Sequence, residues 1–317
     1  MHNFDWQDAA ARHALRRVLL IYTGGTIGMG RNAQTGALEP LDFRHLMDNL
    51  YELRSLNTEV DTYSLAHPLD SSNMNPQHWA RLARIVADRY NAYDGFVILH
   101  GTDTMAYTSS ALSFMLMNLT KPVILTGSQL PIGQPRTDAK ENLLTSIELA
   151  AACDDEGFAR VPEVCIYFNG HLLRGNRATK QNAEGFNAFE SFNYPHLCDA
   201  GVSFTFRTHH ILQPDRHLPL NVQTCMNTNV VVFSLFPGIQ ECIVRHVLAA
   251  PELRGIVTRS FGAGNAPQSP WILKLLRDAS DRGVTIVNIS QCETGCVEMG
   301  LYACLLYTSP SPRDVEE

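Results

Sequence analysis

Short apolar runs alternate with longer amphipathic stretches along most of this chain, and this alternation constrains its fold more than any other feature. Apolar runs of about four to eight residues are typical of buried strands, whereas apolar residues at helical spacing are typical of helices. Regular alternation of the two predicts an α/β fold with a mainly parallel sheet and flanking helices. The predicted strands are residues 17–23, 95–99, 122–126, 163–168, 229–235, 255–258 and 284–288. The predicted helices are residues 76–90, 105–118, 138–152, 239–248 and 271–281.

The alternation is interrupted between about residue 196 and residue 226, where His, Pro, Asn and Thr are frequent. A chain of 317 residues has the length of two domains, because a typical domain has about 100–150 residues. We therefore predict a larger N-terminal domain over residues 1–200, a linker over 201–228 and a smaller C-terminal α/β domain over 229–317.

Composition and charge favour a small-molecule partner. The formal charge of −7, without any run rich in Lys or Arg, argues against a nucleic-acid partner. The apolar stretches 111–119 and 230–236 are shorter than a membrane-spanning helix, which needs about 20 residues, and no targeting segment is recognisable. The eight cysteines show no compact framework, and no second pair or nearby His accompanies Cys292 and Cys296. We expect reduced thiols, no metal, no cofactor, no membrane partner and a cytoplasmic location.

Two segments rich in Gly and Thr directly follow predicted strands. The first is Thr-Gly-Gly-Thr-Ile-Gly at 23–28, and the second is His-Gly-Thr-Asp-Thr at 100–104. In open α/β sheets, ligands bind beyond the carboxyl ends of the strands, so the two segments could face one pocket. Glycines let backbone N–H groups approach a ligand closely, where they can stabilise an oxyanion.

Three simpler interpretations compete. The first segment could be a phosphate cradle, although it lacks the Lys-Ser/Thr ending of a P-loop and the G-x-G-x-x-G spacing. Thr26 could be only a turn residue, and Thr102 or Asp103 could be only a cap of the following helix.

Seven separated motifs together resemble the bacterial type I (cytoplasmic) L-asparaginases over about residues 17–302. They are TGGTIGM at 23–29, PLDSSNM at 68–74, DGFVILHGTDTMAYT at 94–108, KPVILTGSQLP at 121–131, RGNRATK at 174–180, RSFGAGNAP at 259–267 and NISQCETGCVEMGLY at 288–302. The resemblance implies an asparaginase that hydrolyses L-asparagine to L-aspartate and ammonia in asparagine catabolism. It also implies a homodimer or homotetramer.

The resemblance implies a catalytic set of Thr26, Thr102, Asp103 and Lys180. Thr26 is the favoured nucleophile, and Thr102 with Lys180 and Asp103 would assist it or activate water, although the residues alone leave open which threonine forms the covalent bond. Taken by itself, the sequence favours Lys180 as an ordinary surface lysine in the basic stretch 174–180, and the resemblance reverses that order. Its approach to Thr102 is therefore a structural test.

Substrate binding is implied for Gly25, Asp70, Ser71, Gly101, Thr102 and Asp103. A carboxylate suits an α-ammonium group, while hydroxyl and backbone N–H groups suit an α-carboxylate. Some glutaminase activity is expected, since one methylene changes binding by only about 1–3 kcal/mol. Ser128 and Gln129 are expected to support the second Gly/Thr segment rather than to touch substrate.

The chain departs from the family pattern at two places. The stretch 29–40 is expected to form a mobile lid over the substrate, but it contains no tyrosine, which many relatives carry there to contact the nucleophile. After about residue 302 the family pattern is lost in a Ser/Pro-rich tail. We expect a truncated second domain that lacks a packing helix and exposes apolar surface.

A regulatory asparagine site is also implied by the resemblance, at Thr179, Arg259, Ser260 and Cys292. The alternative for Arg259 is a structural ion pair. For the chain as a whole, two other functions stay open. One is the ammonia-liberating amidase subunit of a tRNA-dependent amidotransferase, which normally carries an additional N-terminal domain. The other is a catalytically impaired protein that only binds a small molecule.

Overall fold

The computed structural model of the protein describes residues 15–31, 38–40 and 51–298. The chain divides into two compact units, Met1–Thr224 and Cys225–Glu317. The strands of the first unit are β1 (Arg16–Tyr22), β2 (Met29–Arg31), β3 (Leu38–Pro40), β4 (Thr58–Ser64), β5 (Gly95–Leu99), β6 (Leu116–Met117), β7 (Val123–Thr126), β8 (Val164–Phe168), β9 (His171–Arg174), β10 (Thr179–Lys180), β11 (Phe189–Glu190), β12 (Cys198–Ala200), β13 (Phe204–Phe206) and β14 (Asn221–Val222). Its helices are α1 (Pro76–Arg89), α2 (Met105–Met115) and α3 (Ala139–Ala151).

An eight-stranded sheet forms the centre of the first unit, in the order β13-β12-β9-β8-β7-β5-β1-β4. Strands β4, β1, β5, β7 and β8 are parallel, and β9, β12 and β13 continue the sheet in antiparallel pairs. The predicted α/β fold with a mainly parallel sheet is confirmed, with an antiparallel side that the apolar pattern did not indicate.

The core of the first unit lies on both faces of the sheet. Val18 and Leu20 of β1 pack in one apolar cluster with Leu143 of α3, whereas Leu19 packs in another with Leu82 of α1. Side chains alternate between faces along a strand, so a strand covered by helices on both sides must be apolar throughout. This explains why β1, β5 and β8 are continuous apolar runs.

The ends of the helices follow local signals. Helix α1 begins at Pro76, and the Asn75 side-chain oxygen accepts hydrogen bonds from the backbone N–H groups of Gln77 and His78 at 3.1 and 3.2 Å. Helix α2 was predicted to continue to residue 118, but it ends at Met115. Asn118 has φ 60°, a left-handed conformation that Asn tolerates and that is incompatible with a continuing helix.

Several segments of low apolar periodicity gain their structure from distant partners. Strand β4 pairs with β1, and β13, which lies in the predicted linker, pairs with β12. Strand β14 pairs with β6. Residues 201–224 therefore belong to the first unit, which differs from the predicted linker over 201–228. The unpaired backbone groups at the edge of an existing sheet offer a partner to a short polar segment.

The second unit contains β15 (Val230–Ser234), β16 (Gly255–Ser260), β17 (Thr285–Ser290), α4 (Glu241–Leu248) and α5 (Pro270–Asp281). The strands are parallel in the order β15-β16-β17. Buried Val244, Ile256 and Leu275 belong to its core. Apolar side chains on β15 and β17 are nevertheless 40–65% exposed, namely Val230, Val232, Val287 and Ile289. The predicted loss of a packing helix concerns residues 303–317, outside the described residues, and stays a prediction.

Within the described part of the chain, no helix combines the length and the apolar character required to cross a bilayer.

Candidate active site

The strand order places the two Gly/Thr segments side by side. The chain leaves β1 toward β4 on one side and then returns to form β5 on the other side of β1. This reversal makes a switch point, and a ligand crevice forms at the carboxyl ends of the strands there. Residues 23–28 follow β1 and residues 100–104 follow β5, so both segments leave the sheet at this crevice.

Three turns meet closely at this edge. A Cβ atom on Gly25 would lie 2.6 Å from the backbone nitrogen of Gly101, and one on Gly101 would lie 2.6 Å from Ser71 Oγ. Gly25 also has φ 90°, which L side chains rarely adopt. Glycine is therefore required at both positions, and predicted substrate residues from three separate segments are brought together.

Hydrogen bonds hold these turns against one another. Thr23 donates to the Leu99 carbonyl from both its backbone N–H, at 3.1 Å, and its hydroxyl, at 2.8 Å. The Leu69 N–H donates to the Thr23 carbonyl at 2.7 Å, and the Thr104 hydroxyl donates to the Ser71 carbonyl at 2.7 Å. The backbone of the crevice is thus fixed before any ligand arrives.

Lys180 reaches Thr102, which is the contact that the sequence analysis required. Lys180 Nζ donates to Thr102 Oγ1 at 2.8 Å and to Asp103 Oδ1 at 2.7 Å. The Lys180 side chain is only 18% exposed, whereas that of Asp103 is 69% exposed. Lys180 is therefore a largely buried and paired lysine, which disfavours the interpretation of it as an ordinary surface residue.

The strand that carries Lys180 is itself positioned by tertiary contacts. Lys180 lies on β10 opposite Phe189 of β11, and the ring of Phe189 packs on Phe168 with centroids 5.1 Å apart. The preceding turn is held by the Ser109 hydroxyl of α2, which donates to the Gly175 carbonyl at 2.8 Å. The lysine therefore depends on the sheet and on α2 for its place.

Neither Thr102 nor Asp103 caps a helix. They lie in the 3-10 turn Thr102–Thr104, and α2 begins after Thr104 without a side-chain cap hydrogen bond. Thr26 opens the 3-10 turn Thr26–Gly28 and is partly buried. The structure thus directs the Thr102 and Asp103 side chains toward Lys180, which disfavours the simpler interpretation for that segment.

Gln129 supports the second Gly/Thr segment, as expected. Its Oε1 accepts from Thr102 Oγ1 at 3.3 Å, and its Nε2 donates to the carbonyls of Ala183 and Gly185 at 3.2 and 3.0 Å. The Asp138 carboxylate in turn accepts from the Gln129 backbone N–H at 2.9 Å. This role of Asp138 is not recognisable from the sequence, because a single Asp before a helix resembles an ordinary cap.

Two titratable groups near the crevice have shifted pKa values. The Ser72 backbone N–H donates to Asp70 Oδ1 at 2.9 Å and holds the pKa of Asp70 below its ordinary value. Burial lowers the pKa of His100 to about 4. Asp70 is therefore an anion and His100 is neutral at physiological pH.

Both ring nitrogens of the buried His100 have hydrogen-bond partners. Trp79 Nε1 donates to Thr108 Oγ1 at 3.0 Å, and that hydroxyl lies 2.9 Å from His100 Nε2. His100 Nδ1 lies 2.7 Å from the Gly101 carbonyl. This carbonyl accepts only if Nδ1 carries the proton, so Nε2 accepts from Thr108. A neutral imidazole thereby anchors the turn that precedes Thr102.

A cavity of about 660 Å³ opens beside the Lys180–Asp103 pair, lined by residues of the segments 103–110 and 178–183. Its size lies within the usual range of small-molecule sites. A ligand or water can therefore reach the Lys180 and Asp103 side of the predicted catalytic set.

Two protein-family domains match most of the chain. Residues 17–212 match the asparaginase N-terminal domain, and residues 229–313 match the glutaminase/asparaginase C-terminal domain. The chain belongs to the asparaginase family. The second match extends beyond residue 302, where the sequence analysis expected the family pattern to end.

Several proteins are similar to this chain over about nine tenths of its length. The chain is 42% identical to L-asparaginase 1 of Escherichia coli, covering 91% of this chain and 83% of that protein. The crystal structure of L-asparaginase I from Vibrio cholerae has a TM-score of 0.82 and 39% identity, covering 90% and 84% of the two chains. The 60 kDa lysophospholipase of Mus musculus is 39% identical over 89% of this chain and 52% of that longer protein. The resemblance to type I asparaginases is confirmed.

The residues predicted for regulation lie in both units. Thr179 precedes Lys180 on β10. In the second unit, Arg259 and Ser260 end β16, and Ser260 pairs in register with Ser290 of β17, whose hydroxyl accepts from the Cys292 backbone N–H at 2.9 Å. Three of the four residues thus lie at the carboxyl edge of the second sheet. The site as a whole stays a prediction.

Residues 32–37 of the predicted lid lie outside the described residues. Its two described ends, β2 (Met29–Arg31) and β3 (Leu38–Pro40), pair as antiparallel strands.

Proposed function

We propose that this asparaginase-family chain is an L-asparagine amidohydrolase, which converts L-asparagine to L-aspartate and ammonia. The observation that carries the proposal is the contact of Lys180 with Thr102 and Asp103 at the switch point of the sheet. The 42% identity to an L-asparaginase over 91% of the chain supports the choice of substrate.

The Thr26 hydroxyl is the proposed nucleophile. Its oxygen forms a bond to the side-chain carbonyl carbon of asparagine, and the C–N bond then breaks. The proton lost by the Thr26 hydroxyl passes to the leaving amide nitrogen, which departs as ammonia, and an ester remains on Thr26. Backbone N–H groups of the Gly25 and Gly101 turns would stabilise the oxyanion of the tetrahedral intermediate.

The Thr102, Lys180 and Asp103 set would assist the second half of the reaction. Water adds to the ester carbonyl, the bond to Thr26 breaks and the hydroxyl is restored as aspartate leaves. Lys180 lies within hydrogen-bond distance of both partners, which is the geometry that proton transfer requires.

Asp70 and Ser71 are the proposed anchors of the amino-acid backbone. The ionised Asp70 carboxylate suits the α-ammonium group, and the Ser71 hydroxyl with nearby N–H groups suits the α-carboxylate. Gly25, Gly101, Thr102 and Asp103 would complete the site. We expect measurable glutaminase activity as well.

Ammonia release from L-asparagine tests the proposal. We expect Thr26→Ala to lose at least ~10³-fold in rate, the order seen when a catalytic group is deleted. Thr26→Ser keeps the hydroxyl and is expected to retain most of the activity. Equal rates for the original chain and Thr26→Ala would contradict the mechanism.

The same measurement separates the two alternatives. An amidase subunit of a tRNA-dependent enzyme would release ammonia only with its partner and tRNA present. A protein that only binds a small molecule would release none under either condition, while still binding asparagine.

We further propose a cytoplasmic homodimer or homotetramer with a second asparagine site at Thr179, Arg259, Ser260 and Cys292, as the resemblance to type I enzymes implies. Cooperative kinetics are then expected, and Arg259→Ala should abolish them. A hyperbolic rate curve without a lag would contradict regulation, and a monomer by light scattering would contradict the assembly.

A further inference from the structure

A cluster of His171, His196 and Asp199 lies on the antiparallel side of the large sheet, where β8, β7 and β5 separate β9 from β1. His171 Nδ1 lies 2.9 Å from Asp199 Oδ1, and His196 Nδ1 lies 3.0 Å from the same oxygen. One ligand atom from each of the three side chains lies within 4.8 Å of the others. None of these residues belongs to the proposed catalytic set.

Each member of the cluster is held by the fold. His171 and Asp199 are register partners across β9 and β12, so their side chains stand side by side. The Arg207 guanidinium contacts Asp199 Oδ2 at 2.5 Å and donates to the His196 carbonyl at 3.0 Å. Asp199 Oδ1 is thereby directed toward both imidazoles.

The second nitrogen of His196 also has a carboxylate partner. His196 Nε2 lies 2.8 Å from Glu190 Oε1, and that oxygen accepts from the Ser191 backbone N–H at 2.8 Å. In protein metal sites, a ligand histidine typically donates its other ring nitrogen to a carboxylate, which orients the ring and makes the metal-facing nitrogen more basic.

We propose that His171, His196 and Asp199 bind one divalent transition-metal ion of the zinc class. The two contacts to Asp199 Oδ1, at 2.9 and 3.0 Å, are near the ~3.3 Å between neighbouring ligand atoms of a tetrahedral ion with bonds of about 2 Å. Imidazole nitrogen and carboxylate oxygen are ligands that zinc accepts. The His171 side chain is 41% exposed, so water can supply the fourth ligand.

Metal binding replaces protons in this cluster. The Nδ1 atoms contact Asp199 without a metal by donating protons to it. A metal-bound nitrogen must be deprotonated, so binding displaces these protons from Nδ1, either to the other ring nitrogen or to solvent. The positive charge of Arg207 repels a metal cation and therefore lowers the affinity of the site. Arg207 contacts Asp199 Oδ2, so Oδ1 stays available as a ligand atom. This site differs from the expectation of no metal, which rested on the pattern of the cysteines. The spacing 171, 196 and 199 matches no common metal motif.

The test uses the full chain, treated with EDTA, dialysed and titrated with ZnCl₂ by isothermal titration calorimetry. We expect one Zn²⁺ per chain that is lost or weakened at least ~10-fold in His171→Ala and in His196→Ala. Glu190→Gln should keep the stoichiometry and weaken binding by about 10- to 100-fold, the range found for outer-shell partners. His217→Ala is the matched control, because His217 is exposed and lies outside the cluster, and it should bind as the original chain does.

Cobalt substitution identifies the ligands. Co²⁺ in the proposed site should give visible bands of a four-coordinate ion without the near-ultraviolet thiolate bands that exposed Cys292 and Cys296 would produce. Thermal unfolding of each metal-free variant verifies that it is folded, and Zn²⁺ should raise the melting temperature of the original chain but not of His171→Ala. No Zn²⁺ binding, thiolate bands alone, or equal binding in His171→Ala and the original chain would overturn the proposal.

Discussion

At the scale of single residues, the hydroxyl of Thr102 has one acceptor, Gln129, and one donor, Lys180. Gln129 donates its amide N–H groups to two backbone carbonyls, so its Oε1 must face Thr102. The Lys180 ammonium also donates to Thr102 Oγ1, which leaves the hydroxyl proton directed to Gln129. Lys180 must therefore lose a proton before it can accept one from Thr102 or from water, and Asp103 is its adjacent partner.

Lys180→Met tests the role of this ammonium group. The substitution keeps most of the side-chain volume but removes the charge and the donor. We expect kcat to fall by about 10²- to 10⁴-fold, the usual contribution of a positioned acid or base, with a smaller change in KM. Lys140→Met is the matched control, because Lys140 pairs with Glu52 at 3.0 Å on the surface and should leave kcat unchanged. A similar kcat for both variants would contradict the role of Lys180.

Asp70→Asn removes the negative charge of the proposed anchor for the α-ammonium group but leaves the local turn in place. An Asn oxygen can still accept from the Ser72 backbone N–H, so the turn should persist. We expect KM for asparagine to rise by roughly 10- to 100-fold, as for loss of a charged hydrogen bond, with kcat within about threefold. Asp154→Asn removes a charge from a similar turn, in which Asp154 accepts from Glu156 and Phe158, and should leave KM unchanged. A dominant effect on kcat would contradict a binding role for Asp70.

At the scale of elements, the crevice depends on turns that cannot carry a side chain. Gly25 and Gly157 both have positive φ, at 90° and 84°. A Cβ at Gly25 would collide with the Gly101 backbone, whereas the nearest atom to one at Gly157 is 3.8 Å away.

Comparison of Gly25→Ala with Gly157→Ala therefore separates two effects. Both variants place an alanine at positive φ, but only Gly25→Ala also creates a clash with the Gly101 backbone. We expect Gly157→Ala to lower the free energy of unfolding by about 1–2 kcal/mol, the cost of a left-handed residue, and to keep activity. Gly25→Ala should lower it by at least twice as much and abolish ammonia release. Urea unfolding and the activity assay measure both, and equal losses for the two variants would show that the contact between the turns is unimportant.

At the scale of the whole molecule, the buried His100 links stability to pH. Its pKa is about 4 in the folded chain, against an ordinary value of 6.5. Between these values the unfolded chain binds a proton that the folded chain does not, so stability falls as the pH falls through this window. Below pH 4 the loss is complete, at about 3 kcal/mol for a shift of this size.

His100→Gln tests this linkage, because glutamine does not titrate. The variant should be less stable than the original chain at pH 7, and the difference should shrink by up to about 3 kcal/mol between pH 6.5 and pH 4. Urea unfolding at several pH values, followed by tryptophan fluorescence, measures the difference. A difference that stays constant with pH would contradict a neutral buried His100.

Part of this architecture could be predicted because its information is local. Strands β1, β5, β7 and β8 are apolar on both faces, and a continuous apolar run identifies such a strand without knowledge of its partners. The Gly/Thr segments could likewise be placed at the carboxyl ends of β1 and β5. The edge strand β4 and the short strand β13 carry polar residues, and only pairing with β1 and β12 makes them strands.

The sequence by itself determined which residues could form a buried parallel sheet and which turns could leave backbone N–H groups open to a ligand, because burial and backbone conformation are encoded by neighbouring residues. Only the tertiary structure decided that Lys180 meets Thr102, 78 positions away, that Gln129 orients the hydroxyl, and that His171, His196 and Asp199 converge. Such contacts depend on strand order and register, which are set by the packing of the whole sheet and leave no periodic signal in the chain.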